Sequence, residues 1–272
     1  MNWCREMFGV EKPIIALLHL NAFPGDPLFR QGDSMEKTVE EARKDLHALQ
    51  DGGVDGILFS NEFSLPYQTK VDMIGPCAMA RVIGELKSEI SVPFGVDCES
   101  DVLASIDLAA AVSANFVRGL FTGVYAGDCG IIAPDIATVL RRKKALGLDD
   151  CKLLYFINNE ADEYIVKREL TAIARSTIFS CKPDAFLLMG FHAGQEPESN
   201  VIEQIRKVTN GVPVFTGTGC RTDNIIEKLK TSDGATVGTT FKEEGKFENH
   251  VDLLRVKAFM EQVKKYRREY EK

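Results

Sequence analysis

Polar and titratable side chains recur where short apolar runs of the sequence end. The runs hold consecutive Val, Ile, Leu and Phe residues, which is typical of parallel strands buried on both faces. The residues at or just beyond the ends of these runs are His19, Asn61, Glu62, Asp97, Arg118 and Asn158. Histidine and carboxylate side chains can transfer protons in general acid–base catalysis. We therefore interpret His19, Glu62 and Asp97, with the neighbouring Asn61, as candidate catalytic residues.

His19, Glu62 and Asp97 also have structural explanations. His19 lies among apolar residues and could be a core histidine that is bonded to the backbone, and Glu62 could be a solvated loop carboxylate. Asp97 emerges directly from the buried run VPFGV and could form a salt bridge with Arg118.

Asp128 lies in the segment FTGVYAGDCGII, whose length and glycines suit a loop that closes over a ligand. We add Asp128 to the candidate catalytic residues.

Cofactor chemistry is left open by the sequence. His19, Glu62 and Asp97 offer nitrogen and oxygen ligands for a divalent metal ion. Because the three residues come from separate strands, their spacing in the sequence neither supports nor excludes a metal site. Cys98 and Cys220 lie near strand ends without an adjacent base. We interpret these two as spectator thiols.

Two glycine turns follow the last two predicted strands. The residues of these turns are Gly217, Thr218 and Gly219, then Gly238, Thr239 and Thr240. Glycine lets an anion approach the backbone N–H groups, and a helix N-terminus behind the turn adds partial positive charge. In eight-stranded barrels a phosphate commonly lies after strands seven and eight. We predict that these six residues bind phosphate; the alternative is that the glycines only make tight turns. His192 in the segment GFHAG, which ends at Gly194, either adds a donor there or is an ordinary loop residue.

Eight apolar segments alternate with helical patterns along the chain. The predicted strands are residues 13–20, 54–60, 92–96, 115–120, 152–157, 185–189, 212–216 and 235–237. The predicted helices are residues 35–50, 76–90, 102–112, 134–146, 163–179, 197–208, 222–230 and 250–270. A doubly wound open sheet would carry a glycine-rich fingerprint after its first strand, where this chain has HLNAFPG. We predict one α/β domain over residues 1–272, a (β/α)₈ TIM barrel with a C-terminal helix.

Composition and charge exclude several classes of partner. The chain has 272 residues and a net charge of −7, and its basic residues form no stripe, which argues against nucleic acid or anionic membrane as a partner. The seven cysteines form no CxxC pair, which is typical of reduced thiols in a cytoplasmic protein. The first twenty residues resemble neither a secretory signal nor a membrane span. The size of the predicted barrel is compatible with a homo-oligomer.

The sequence resembles the BtpA/SgcQ family over nearly its whole length. The segments that carry the resemblance are LLHLNAFPGDP, GVDGILFSNE, FTGVYAGDCGII, VPVFTGTGCRTDNI and VGTTFKEEGKFENHVDLLRV. The resemblance implies a TIM barrel of the ribulose-phosphate-binding type, and the family takes its name from a role in photosystem I accumulation. Members commonly have a fifth strand resembling D-V-H-x-K-H, where this chain has KLLYFINNEAD at residues 152–162. Asn158 and Glu160 are the nearest polar substitutes there.

Two functional hypotheses follow from these patterns. The first is an enzyme acting on a phosphorylated sugar or nucleotide-like metabolite, of the isomerase or lyase/hydrolase type. In it, the glycine turns hold the phosphate while His19, Glu62 and Asp97 transfer protons. The second, implied by the resemblance, is a non-catalytic assembly or regulatory protein. The altered fifth strand favours it, and the polar residues at the other strand ends oppose it.

Overall fold

The computed structural model describes residues 3–160, 162–190 and 196–270, and eight parallel strands in it close into a barrel. The barrel strands are β1 (Ile14–His19), β2 (Gly56–Ser60), β3 (Phe94–Asp97), β4 (Phe116–Gly119), β7 (Lys152–Phe156), β9 (Ala185–Leu188), β10 (Val214–Thr216) and β11 (Ala235–Val237). Around the barrel their order is β1-β11-β10-β9-β7-β4-β3-β2. The predicted (β/α)₈ architecture is therefore confirmed.

Helices connect the strands and cover the outside of the barrel. They are α1 (Trp3–Phe8), α2 (Met35–Gly52), α3 (Ile74–Leu86), α4 (Val102–Val112), α5 (Ile136–Ala145), α6 (Leu170–Cys181), α7 (Ser199–Arg206), α8 (Ile225–Thr231) and α9 (Leu253–Tyr270). Ser34 caps α2 by accepting a hydrogen bond from the backbone of Lys37. Among the described residues, no helix has the length and apolar character that a membrane span requires.

The core has two layers, because the strands bury side chains on both faces. An outer layer packs the strands against the helices, and an inner layer fills the barrel itself. The short helix α1, absent from the prediction, closes the lower end of the inner layer. There Phe8 packs edge-on against Phe116, with ring centroids 5.8 Å apart, and Trp3 stacks on Phe215 at 6.4 Å.

A small antiparallel sheet replaces the predicted glycine-rich loop after β4. Its strands are β5 (Tyr125–Gly127), β6 (Gly130–Ile132) and β8 (Asp162–Tyr164), in the order β6-β5-β8. Tyr125 of this sheet belongs to the inner core, and its ring contacts the ring of Tyr164 at 5.0 Å. The predicted helix 163–179 was therefore wrong at its start, because residues 162–164 pair with β5 and the helix begins at Leu170.

Other helix boundaries also differ from the prediction. Pro197 precedes α7 and does not lie in its first turn, since the helix begins at Ser199 after Glu198. The C-terminal helix begins at Leu253, three residues after the predicted start, because residues 242 and 251 form an isolated β-bridge. The second glycine turn continues as a 3₁₀ helix, Thr239–Phe241.

Candidate active site

Strand register places four polar residues in one row at the carboxyl end of the barrel. His19 lies opposite Ser60, and Ser60 opposite Asp97. On the next strand Val96 lies opposite Val117, so that Arg118 continues the row beside Asp97. Two residues earlier on these strands are Leu17, Leu58, Gly95 and Phe116, three of which belong to the inner core. Because side chains alternate along a strand, the polar row also faces the inside of the barrel.

Arg118 is the centre of a buried charge cluster. Its Nε donates a hydrogen bond to Asp97 Oδ2 at 2.7 Å, and its Nη2 donates to Glu62 Oε1 at 3.3 Å. Nη2 also donates to Glu99 Oε1. The guanidinium lies over the ring of Phe156, 5.3 Å from its centroid. Three carboxylates, of which Asp97 is buried and Glu62 and Glu99 are partly buried, thus converge on one buried cation.

Burial and the excess of acids decide the protonation of this cluster. Burial raises the pKa of Asp97 to about 6, although the charge of Arg118 opposes this change. Burial and the negative charge of Asp97 raise the pKa of Glu99 well above its ordinary value. Burial also acts to raise the pKa of Glu62, but the charge of Arg118 and the hydrogen bonds from Tyr67 and Arg118 oppose it, and that pKa lies below normal. Below about pH 6 Asp97 therefore retains its proton, and the raised pKa of Glu99 favours a proton there at higher pH, whereas Glu62 is the first of the three to ionise.

Glu62 is held by further hydrogen bonds. Tyr67 donates its hydroxyl to Glu62 Oε2 at 2.8 Å, and Ser60 donates to Oε1 at 3.3 Å. Asn61 accepts a hydrogen bond from the backbone N–H of Glu99 at 2.7 Å. Asn61 therefore joins the ends of β2 and β3, which is a positioning contact.

His19 is a buried and neutral imidazole. Burial lowers its pKa to about 4, and its Nε2 lies 3.9 Å from Glu62 Oε1. Among the described residues neither ring nitrogen has a hydrogen-bond partner, so the predicted alternative of a core histidine bonded to backbone is wrong there. The ring of Phe247 covers it at 5.1 Å. Gly238 leaves space for it, since a Cβ at that position would lie 2.9 Å from the imidazole.

The glycine turns are tightly packed. A Cβ on Gly217 would lie 2.1 Å from Met189 Sδ, and one on Gly219 would lie 2.4 Å from Glu196 Cα. Thr218 accepts a hydrogen bond from the backbone of Gly190 at 3.1 Å. In the described part of the chain, the N–H groups of Gly219 and Cys220 donate no hydrogen bond.

In the second turn, Thr240 donates to Cys220 O, and Thr239 is exposed. Packing thus accounts for Gly217, Gly219 and Gly238, and phosphate binding at the six turn residues stays a prediction.

Three other candidates lie apart from this cluster or outside the described residues. Asp128 is exposed in the turn between β5 and β6, and no contact within the described chain joins it to Arg118 or its carboxylates. His192 and Gly194 lie outside the described residues. Burial raises the pKa of the Cys220 thiol to about 12, and that of Cys98 higher still, which agrees with their interpretation as spectator thiols.

The donor set also bears on metal binding. No three His, Cys, Asp or Glu side chains in the described ranges are grouped as ligands for a metal ion. The carboxylates of Glu62 and Asp97 instead hold a guanidinium between them.

A cavity of about 450 Å³ reaches His19 from the side of β1 and α2. Its far wall is the segment after β11, residues 242–250. Asp45 of α2 anchors this segment, because it accepts hydrogen bonds from Lys242 Nζ at 3.3 Å and from the N–H of Val251 at 2.9 Å. Neither glycine turn contributes to the lining.

Comparison with known proteins places the chain in a family. The sequence model of the BtpA family matches residues 10–265. The chain belongs to the BtpA family. It is 43% identical to the putative sgc region protein SgcQ of Escherichia coli (strain K12), over 98% of this chain and 100% of the relative. It is 29% identical to the photosystem I biogenesis protein BtpA of Synechocystis sp., over 94% of this chain and 89% of that protein.

Solved structures share the barrel of this BtpA-family chain at low sequence identity. One is the native KDPGal structure, with a TM-score of 0.58 and 12% identity over 96% of this chain and 99% of the other. Another is the (S)-3-O-geranylgeranylglyceryl phosphate synthase from Thermoplasma acidophilum, bound to its substrate sn-glycerol-1-phosphate. Its TM-score is 0.57 and its identity 15%, over 96% of both chains. At such identities these structures support the fold alone.

Sequence reasoning missed two residues of this BtpA-family site. Glu99 lies two residues beyond the end of β3, and Tyr67 lies in the connection after β2. A signal for Glu99 was available, since DCES places a second carboxylate near the strand end. Nothing in the sequence links Tyr67 to Glu62, because their contact depends on the path of the connection.

Asn158 and Glu160 lie beyond the end of the fifth barrel strand, β7, in this family member. Asn158 forms two hydrogen bonds with the backbone of Met189, each 3.0 Å long, and so joins β7 to β9. Glu160 lies beside Thr218, and burial raises the pKa of its carboxyl group despite a hydrogen bond with that residue. Glu160 therefore belongs to the region of the first glycine turn.

Proposed function

We propose that this protein is an enzyme that transfers a proton on a phosphorylated sugar or nucleotide-like metabolite, in an isomerisation or a lyase or hydrolase cleavage. The observation that supports it is the buried cluster at the mouth, in which three carboxylates share one guanidinium beside a neutral histidine. Burying such groups is costly, and sites where burial and like charges perturb pKa values are candidates for catalysis. In barrels of this type the carboxyl ends of the strands carry the active site.

In this proposal Glu62 and His19 act on the substrate. Glu62 is ionised and can accept a proton from a carbon or oxygen of the substrate, and the neutral imidazole of His19 can donate or accept a second proton. Arg118 and Tyr67 position the Glu62 carboxylate. A proton on Glu99, whose pKa is raised, reduces the excess of negative charge in the cluster.

The phosphate group is assigned to the two glycine turns. The N–H groups of Gly219 and Cys220, which donate no hydrogen bond to the residues that the structure describes, are donors suited to an anion. The first turn of the 3₁₀ helix that begins at Thr239 offers further N–H donors. The Thermoplasma synthase, which shares only the fold, carries a phosphorylated substrate in its structure.

Binding is tested by thermal unfolding with sugar phosphates, nucleotides and inorganic phosphate, with and without Mg²⁺, Mn²⁺ or Zn²⁺. A ligand at a hundred times its dissociation constant adds about 2.7 kcal/mol to the free energy of unfolding. We expect Thr239→Asp to abolish this effect, since it places a negative charge in the second turn. Ser88→Asp is the matched control, because Ser88 is also an exposed hydroxyl residue in a 3₁₀ helix, on the connection between α3 and β3.

Proton transfer is tested by NMR in D₂O with a phosphate ester that binds. We expect a substrate C–H signal to disappear through exchange with solvent, and Glu62→Gln to slow this by about 10²-fold or more. Exchange at the wild-type rate in Glu62→Gln would contradict the assigned role. Failure of every phosphorylated compound to stabilise the wild-type protein would contradict the substrate class.

A second candidate function is a non-catalytic assembly or regulatory role. The relative named photosystem I biogenesis protein BtpA, at 29% identity, favours it. An assembly role predicts that Glu62→Gln, if it folds, retains the cellular effect of the protein, whereas the enzyme hypothesis predicts its loss.

A further inference from the structure

The cavity beside His19 is a separate part of the carboxyl face, distinct from both glycine turns. It has a volume of about 450 Å³, which is within the usual range of small-molecule sites. Its polar lining includes Lys37, Glu41, Asp45, Lys242 and Asn249, and His19 lies in its wall. The side chains come from β1, α2 and the segment 242–250, so three separate parts of the chain converge there.

His19 shows that this cavity is built for a polar ligand. Its side chain is only 3% exposed, yet neither ring nitrogen is hydrogen-bonded within the described chain. A buried polar group without a partner is costly, and native proteins rarely retain one without a function. A hydroxyl or carbonyl oxygen of a bound molecule in the cavity would supply the missing partner.

The charges of the lining indicate which kind of molecule fits. Four carboxylates and three permanently cationic side chains line the cavity, so it carries no positive excess that would attract an anion. These charges are largely paired, since Lys242 Nζ lies 3.3 Å from Asp45 and Lys37 Nζ lies 3.2 Å from Asp33. The lining therefore presents donors and acceptors side by side. Hydroxyl groups both donate and accept, so several hydroxyls on an uncharged skeleton match this surface.

We infer that the cavity binds the uncharged, polyhydroxylated part of the substrate, with one of its oxygens hydrogen-bonded to His19. This inference rests on the proposed function, in which the phosphate lies on the glycine turns. It deepens that function by assigning the two ends of the substrate to two places.

The test uses a panel of aldoses, ketoses and alditols with five or six carbons, their monophosphates, and inorganic phosphate. Affinities are measured by calorimetry, and ¹⁵N NMR reports the imidazole of His19, one of four histidines in the chain. We expect a neutral member of the panel to shift the His19 signal. We also expect Ala22→Leu, which fills the cavity, to weaken that sugar and its monophosphate at least tenfold without affecting inorganic phosphate.

A second pair of variants keeps the inference testable if Ala22→Leu does not fold. Lys37→Ala removes an exposed lining side chain, and Lys44→Ala removes an exposed lysine of the same helix that does not line the cavity. We expect the first variant to weaken sugar binding severalfold and the second to leave it unchanged.

The outcomes separate this inference from the proposed function. If monophosphates bind but Ala22→Leu and Lys37→Ala leave their affinity within twofold and the His19 signal is unmoved, the cavity inference is overturned and the proposed function stands. If neutral sugars bind in the cavity and their monophosphates bind no more tightly, the phosphate assignment is overturned and the cavity inference stands. If no member of the panel binds, the cavity inference is overturned, and the proposed function is overturned with it only if the nucleotides of the thermal-unfolding screen also fail to bind.

Discussion

Replacing Asp97 by Asn tests whether burial or the ion pair with Arg118 has the larger effect on the pKa of Asp97. Asp97 is 1% exposed and accepts a hydrogen bond from Arg118 Nε at 2.7 Å. An ion pair alone would lower the pKa of the carboxyl group, whereas burial raises it. With burial dominant, the folded protein holds this proton up to a pH of about 6, and the unfolded chain releases it at about 3.8.

The sign of the pH effect follows from proton binding. Between these two values the folded state binds more protons than the unfolded state, so the free energy of unfolding falls as the pH rises. The loss begins near pH 3.8 and is complete just above pH 6. The difference between 3.8 and about 6, at about 1.4 kcal/mol for each pH unit, amounts to about 3 kcal/mol. Asp97→Asn also removes a negative charge that raises the pKa of Glu99, so that pKa is raised less in the variant. As the pH rises, the wild type therefore loses more stability through Glu99 than the variant does, which adds to the effect of Asp97.

The assay is equilibrium urea unfolding of the wild type and Asp97→Asn at several pH values from 4 to 7.5. We subtract the free energy of unfolding of the variant from that of the wild type, which removes the contributions of distant groups. We expect this difference to fall by about 2–3 kcal/mol between pH 4 and pH 7, since part of the total is already lost below pH 4. A matched control is Asp101→Asn, since Asp101 caps α4 on the same face of the barrel and its carboxylate accepts from the Ala104 and Val71 backbone.

The result that refutes this reasoning is a difference that rises with pH. It would mean that the attraction of Arg118 exceeds the cost of burial and that Asp97 is ionised throughout this range. A difference that does not change with pH would also contradict a raised pKa.

Two further predictions concern the same region. Arg118→Met removes the cation that the buried Asp97 shares with Glu62 and Glu99, so we expect a loss of about 3–5 kcal/mol of stability at pH 7, measured by urea unfolding, and a smaller loss at pH 4.5. Gly238→Ala brings a methyl group within 2.9 Å of the imidazole of His19, so we expect a cost of about 1–3 kcal/mol and a shifted imidazole ¹⁵N signal. Gly84→Ala, an exposed helical position where a Cβ meets no atom within 4 Å, is its control and should be stabilising.

Much of the fold was predictable because it depends on local patterns. The eight barrel strands are continuous apolar runs, and β11 and α4 have the predicted bounds. The salt bridge between Asp97 and Arg118 was also foreseen as an alternative, because both residues end neighbouring strands.

The features that the sequence did not predict depend on contacts between distant segments. Strand β8 consists of only three residues, and nothing in their sequence distinguishes them from a helix start until they pair with β5. Helix α1 is six residues long, too short for a periodic pattern, and its position depends on the aromatic rings inside the barrel. Glu99 reaches Arg118 because Asn61 holds its backbone, a contact across 38 positions of sequence.

The carboxyl face of the barrel thus divides into two regions that meet at His19. The charge cluster on β2, β3 and β4 fixes Glu62 on one side, and the cavity beside α2 lies on the other. Because His19 Nε2 and Glu62 Oε1 are 3.9 Å apart, a ligand that reaches both groups would present neighbouring atoms to them. The phosphate would then lie nearest the second turn, since Gly238 is in contact distance of the same imidazole. This geometry ties the two proposals together, because a single molecule that spans the cavity and the second turn has to pass His19.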